Sequence, residues 1–93
     1  MNSVSVNVSA FGLWQMFLGS ERREVKAKGP TLRDLIDALN DVTMGKLEKE
    51  VLVAGGGLDP KLKIFVNGNA SDSLSTTLAY GDEVVLFSVI DGG

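Results

Sequence analysis

Close to its end, the chain carries Val84-Val85-Leu86-Phe87-Ser88-Val89-Ile90, a stretch apolar at every position but one. Tyr80-Gly81-Asp82 punctuates the chain just before it. A short apolar run of β-branched and aromatic residues behind a turn signal reads as a strand. Its near-continuous apolarity predicts a place at the centre of a sheet, under the cover of a helix. Only Asp91-Gly92-Gly93 follows. Two residues without Cβ adopt backbone angles closed to other residues and can thread a narrow channel. The strand is therefore expected to deliver a thin tail, which can present its terminal carboxylate inside another protein's active site. A frayed end is the simpler alternative.

The other elements that such a strand needs can be read from the remaining pattern. Val4, Val6 and Val8 alternate with Ser3, Ser5, Asn7 and Ser9, the period of a half-buried first strand closed by Phe11. Gly12 to Gly19 holds Leu13, Trp14, Met16, Phe17 and Leu18, too apolar for a hairpin turn, and predicts a single helical turn. Trp14 and Phe17 are spaced like core residues, which leaves Met16 exposed. Glu21 to Ala27 reads as a charged antiparallel strand with Val25 inward, broken by Gly29-Pro30. Thr31 begins the best-marked helix: it is an N-cap residue, Asp34 stands three positions on, and Leu32, Leu35, Ile36 and Leu39 share one face. A second, shorter helix is expected over Met44–Leu52 and a flexible loop at Gly55–Gly57. From Lys61 to Val66, Leu62, Ile64 and Val66 alternate with charge at Lys61 and Lys63, up to Asn67-Gly68, a tight-turn signal. Leu74 and Leu78 are expected to pack inward.

Composition narrows the chemistry. The 93 residues make one small domain with a normal apolar content of 44%. There is no His and no Cys, so the usual general base, the thiol nucleophile and most transition-metal sites are missing. The carboxylates are scattered along the chain, which argues against a hydrolase or a metalloenzyme, and no metal site is expected. A net charge of −3 argues against nucleic acid, whose binders carry a basic patch. No apolar run reaches the roughly 18 residues of a membrane span, and the start lacks the pattern of a signal peptide. Without cysteine, the default expectation is the cytoplasm.

A first hairpin, a crossing helix, a central last strand and a terminal Gly-Gly together resemble the β-grasp fold of ubiquitin, an α+β fold with a mixed sheet of about five strands on one main helix. Phe11-Gly12-Leu13-Trp14-Gln15-Met16-Phe17-Leu18-Gly19 is similar to the aromatic-to-glycine segment of the ThiS/MoaD sulfur carriers. Pro30 to Leu39 resembles their threonine followed by a leucine-rich helix, and Val66-Asn67-Gly68 their turn. Gly81-Asp82-Glu83-Val84, then Phe87, then Gly92-Gly93 is the most specific part. The resemblance is closest to the small subunit of molybdopterin synthase (MoaD-like). It implies one β-grasp domain over 1–90 and a flexible tail at 91–93. Ser88-Val89 stands where that subunit commonly has two prolines, and Asp91 adds a negative charge beside the glycines.

What the resemblance implies is a carrier with no catalytic side chains of its own and no bound cofactor. A ubiquitin-activating-like adenylyltransferase would use ATP to adenylate the Gly93 carboxylate. A sulfur donor would then displace AMP and leave a thiocarboxylate. The sulfur would pass to an acceptor, the large subunit of molybdopterin synthase or another enzyme. Gly92 and Asp91 complete the tail, and Phe87, Val89, Ile90 and Met16 are the expected partner-binding residues. Other readings stay open: a sulfur carrier for thiamine, cysteine, tRNA thiolation or a tungsten cofactor, a ubiquitin-like protein modifier, or a β-grasp interaction module whose tail is not conjugated.

Overall fold

The computed structural model describes residues 3–19, 21–45, 62–71 and 73–88, the side chains of Leu13 and Phe17 excepted. In chain order the elements are β1 (Val4–Phe11), α1 (Leu13–Leu18), β2 (Arg23–Ala27), α2 (Leu32–Val42), β3 (Leu62–Val66), β4 (Asn69–Ser71) and β5 (Glu83–Ser88). The strands form one sheet in the order β2-β1-β5-β3-β4. The apolar run thus supplies the central strand, as its composition required. β5 lies parallel to β1 and antiparallel to β3, while β1–β2 and β3–β4 are antiparallel hairpins. A mixed five-stranded sheet with one main helix is the β-grasp arrangement.

Alternation decides what each strand buries. Val6, Val8 and Ala10 of β1, Val84 and Leu86 of β5, Leu62 and Ile64 of β3, and Val25 and Ala27 of β2 are all buried. They form one cluster with Leu32, Leu35, Ile36, Ala38 and Leu39 of α2. Trp14 and Leu18 of α1 close the end of this core, and Leu78 is buried with Leu74 packed against it. The short helix thus turns Trp14 inward and leaves Met16 81% exposed.

α2 starts where its cap residue dictates. The Asp34 amide donates to Thr31 Oγ1, and the Asp34 carboxylate accepts from the Thr31 amide at 3.0 Å and from its hydroxyl at 2.7 Å. This is a complete capping box. The next free amides find tertiary partners: Leu32 N–H donates to the Thr76 carbonyl and Arg33 N–H to that of Leu74. The segment before β5 therefore does two things, plugging the core with Leu78 and satisfying the start of the helix.

The end of α2 departs from expectation. Met44 and Gly45 have φ of 60° and 85°, left-handed backbone that terminates a helix and does not start one. The helix expected over Met44–Leu52 is therefore absent at its first two positions, and the rest of that segment, with the Gly55–Gly57 loop, lies outside the described residues.

Asn67 and Gly68 take φ of 52° and 84°, the two positive angles of a two-residue hairpin turn. This turn is tied to the entrance of β5. The Asn67 side-chain amide donates to Asp82 Oδ1 and its oxygen accepts from the Glu83 amide, both at 2.9 Å. The other Asp82 oxygen accepts from the Ala79 amide at 2.8 Å. Two turns far apart in sequence thus form one clamp at the end of the sheet away from Ser88.

Candidate functional site

Residues one step out of phase with the core face away from α2. Register places them in rows across the open face of the sheet. Phe11 of β1 lies opposite Phe87 of β5, which lies opposite Lys63 of β3. The next row runs Ser9, Val85, Phe65, Ala70. Phe11 is 47% and Phe87 43% exposed, while Val85 and Phe65 are half-buried. Four large apolar side chains on three adjacent strands therefore form a patch with no element of the described fold above it. The near-continuous apolarity of β5 has this cause: Val84 and Leu86 serve the core, Val85 and Phe87 the open face.

The patch sits at the end of β5 from which the tail departs. Ser88, buried and last in the strand, is five residues before Gly93 in sequence. Gly12, immediately after Phe11, lies against it: a Cβ at position 12 would stand 2.2 Å from Ser88 Oγ, and its φ of 69° is one that other residues rarely adopt. The bare backbone at Gly12 lets α1 turn tightly across the root of the tail.

Charge is arranged around this surface. Lys63 stands beside Phe87 as an exposed cation. Farther along the face, Arg22 grips the Glu83 carboxylate through both Nε and Nη2, the Nε contact being 3.1 Å. Hydrogen bonding to Arg22 holds the Glu83 carboxyl below its usual range, and the same contact raises the guanidinium. The Glu21–Glu24 segment, read as the start of a charged strand, is exposed but anchored to the central strand by this pair.

Of the expected partner-binding residues, Phe87 lies on the open face, in the patch and not in the core. Met16 is exposed on α1, which packs against β1 and β5, but it does not belong to the strand rows. Val89, Ile90, Asp91, Gly92 and Gly93 lie outside the described residues. Phe11, Phe65 and Val85 went unremarked in the sequence as surface residues. Phe11 read only as the end of a strand, and the alternation of β3 and β5 was the signal that could have found the other two. Among the described residues no group of three potential metal ligands gathers, and no helix is long and apolar enough to cross a membrane.

Comparison with known proteins agrees with this architecture. A model of the ThiS family matches residues 9–93. A protein of Archaeoglobus fulgidus, named provisionally as a sulfur carrier, is 37% identical over 73 residues, covering 75% of this chain and 82% of its own. Small archaeal modifier protein 1 of Haloferax volcanii has a structure similar to this one, with a TM-score of 0.79 at 31% identity over 96% of this chain and 99% of that one. A Pyrococcus furiosus protein named provisionally as molybdopterin converting factor subunit 1 gives a TM-score of 0.70 at 28% identity, covering 94% of this chain and 99% of the other.

Proposed function

From the premise that the chain belongs to the ThiS family, a family of ubiquitin-like sulfur carriers and small modifiers, we propose that it carries sulfur as a thiocarboxylate on Gly93, with molybdopterin synthesis as the destination. A carboxylate is a poor electrophile until a better leaving group replaces its oxygen. In the proposed cycle a Gly93 carboxylate oxygen attacks the α-phosphorus of ATP in an adenylyltransferase, and pyrophosphate leaves. Hydrosulfide supplied by a donor attacks the resulting acyl carbon, the acyl–oxygen bond breaks, AMP leaves and the thiocarboxylate remains. The acceptor enzyme takes the sulfur, and water restores the carboxylate. Gly92 and Gly93 suit a narrow channel because neither has a Cβ to meet its walls, and a chain without cysteine supplies no sulfur of its own.

The observation that carries this reading is the family match running through to Gly93. The patch around Phe87 supports it as the docking surface. It lies on the strand that leads to the tail, and exposed aromatic clusters of this kind are what partner proteins cover. The likeness to the Pyrococcus protein favours molybdopterin as the destination. The likeness to small archaeal modifier protein 1 favours a second reading, in which the acyl group of the same adenylate passes to a lysine amine of a target protein, forming an isopeptide bond as AMP leaves.

Absence of cysteine makes the test direct. The protein is incubated with an adenylyltransferase of the family from its source, ATP and a sulfur donor, then treated with a thiol-specific alkylating reagent and weighed intact. One adduct, mapped to Gly93 and dependent on ATP, is the expected result. Absence of any adduct, with a control carrier modified in parallel, overturns the carrier reading. Recovery of the chain in isopeptide linkage to other proteins then supports the modifier.

A further inference from the structure

Asn-Gly occurs once in this chain, at Asn67-Gly68. It is the dipeptide most open to spontaneous deamidation, because glycine offers no side chain to hinder attack by its own backbone nitrogen. Both residues are exposed, and a Cβ at Gly68 would meet no other atom within 4 Å beyond its chain neighbours. Yet the Asn67 amide is not free to turn. Its nitrogen donates to Asp82 Oδ1 and its oxygen accepts from the Glu83 amide, each at 2.9 Å, and the Asn67 backbone amide donates to the Glu83 carbonyl at 2.7 Å.

We propose that Asn67 is a latent deamidation site, which the Asp82–Glu83 clamp holds closed in the folded protein and whose conversion opens the clamp. In the reaction the deprotonated Gly68 nitrogen attacks Cγ of Asn67. A new N–C bond forms, the bond from Cγ to the amide nitrogen breaks, and ammonia leaves with a proton from water. Water then opens the succinimide to aspartate or isoaspartate. To reach the Gly68 nitrogen, Cγ must turn away from both of its partners, so the two side-chain bonds have to open first. Two bonds of ordinary net strength slow the attack by about thirtyfold.

The consequence follows from charge and geometry. An aspartate at position 67 replaces the donor to Asp82 with a second carboxylate, so like charges meet where a hydrogen bond stood. An isoaspartate in addition lengthens the backbone of a two-residue turn whose two positive φ angles set the β3–β4 register. Either product loosens the junction between the hairpin and the entrance of β5, and the change is irreversible.

The test ages the full chain at mildly alkaline pH, folded and in denaturing urea, and measures isoaspartate and aspartate at position 67 by peptide mapping. Asp82→Ala is aged alongside it, with circular dichroism to establish that it is folded. The expected results are conversion at Asn67 about thirtyfold slower in the folded wild type than in urea, and acceleration in folded Asp82→Ala. Aged, converted protein is also expected to melt at a lower temperature than the fresh protein. Equal rates for folded and unfolded wild type overturn the proposal, as does a folded Asp82→Ala that converts at the wild-type rate. Should Asp82→Ala not fold, the comparison of folded and unfolded wild type decides alone.

Discussion

Leu86 and Phe87 are neighbours in one strand, yet they belong to different parts of the protein's work. Leu86 points under α2 and is completely buried, whereas Phe87 points the other way and is 43% exposed beside Phe11. The same contrast runs through β1 and β3, where Ala10 and Ile64 are buried and Phe11 and Phe65 stand on the open side. A globular protein of this size needs one apolar face for its core. A second one costs solubility and is kept for a use. The buried face explains why the chain folds; under the proposed function, the open face is where partners dock.

Substitutions can break or sharpen this contrast. Leu86→Ala removes a side chain packed on all sides and is expected to cost about 2–5 kcal/mol of stability, seen as a lower urea midpoint. Thr31→Ala removes the acceptor of the Asp34 amide and is expected to cost about 1 kcal/mol. That loss also belongs to the buried side, because the cap fixes where α2 begins over the core. Phe87→Ala is expected to cost less, about 0.2–1 kcal/mol, the worth of a cross-strand pair with Phe11. A loss as large as that of Leu86→Ala would abolish the distinction between the faces.

The smallest effect is electrostatic. Hydrogen bonding to Arg22 lowers the Glu83 pKa in the folded protein. Its contribution is therefore full above the ordinary glutamate pKa of about 4.3 and is lost as pH falls through the lower folded value. Both groups are exposed, so the change is slight. Glu83→Gln is expected to flatten that part of the acid limb in urea titrations at a series of pH values. An unchanged acid limb would leave the pair without a role in stability.

Much of the buried side was legible because its signals are local. Thr31 and Asp34 announce the start of α2 within four residues, and Asn67-Gly68 specifies its own turn. The apolar run of β5 pointed to a central place, which the strand order bears out, although only the helix-facing half of its apolar residues, Val84 and Leu86, is buried. The open-face patch was harder to read, because it depends on register between distant segments. Alternation says that Phe11 and Phe87 face opposite to the core, but only the parallel pairing of β1 with β5 places them side by side. The Asn67–Asp82 clamp escaped for the same reason: each turn was read alone. The start of a second helix at Met44 was misread because Leu47 and Val51 have helical spacing, which does not reveal that Met44 and Gly45 turn left-handed.

The most direct test of the account is the steady-state kinetics of the adenylyltransferase with this chain as substrate, comparing wild type with Phe87→Ala while both are folded. If the open face is the docking surface, KM for the carrier rises roughly tenfold and kcat changes little, as expected when an aromatic anchor is truncated. An unchanged KM, with the Gly93 carboxylate still adenylated, would contradict that role and leave the tail as the whole of the recognition.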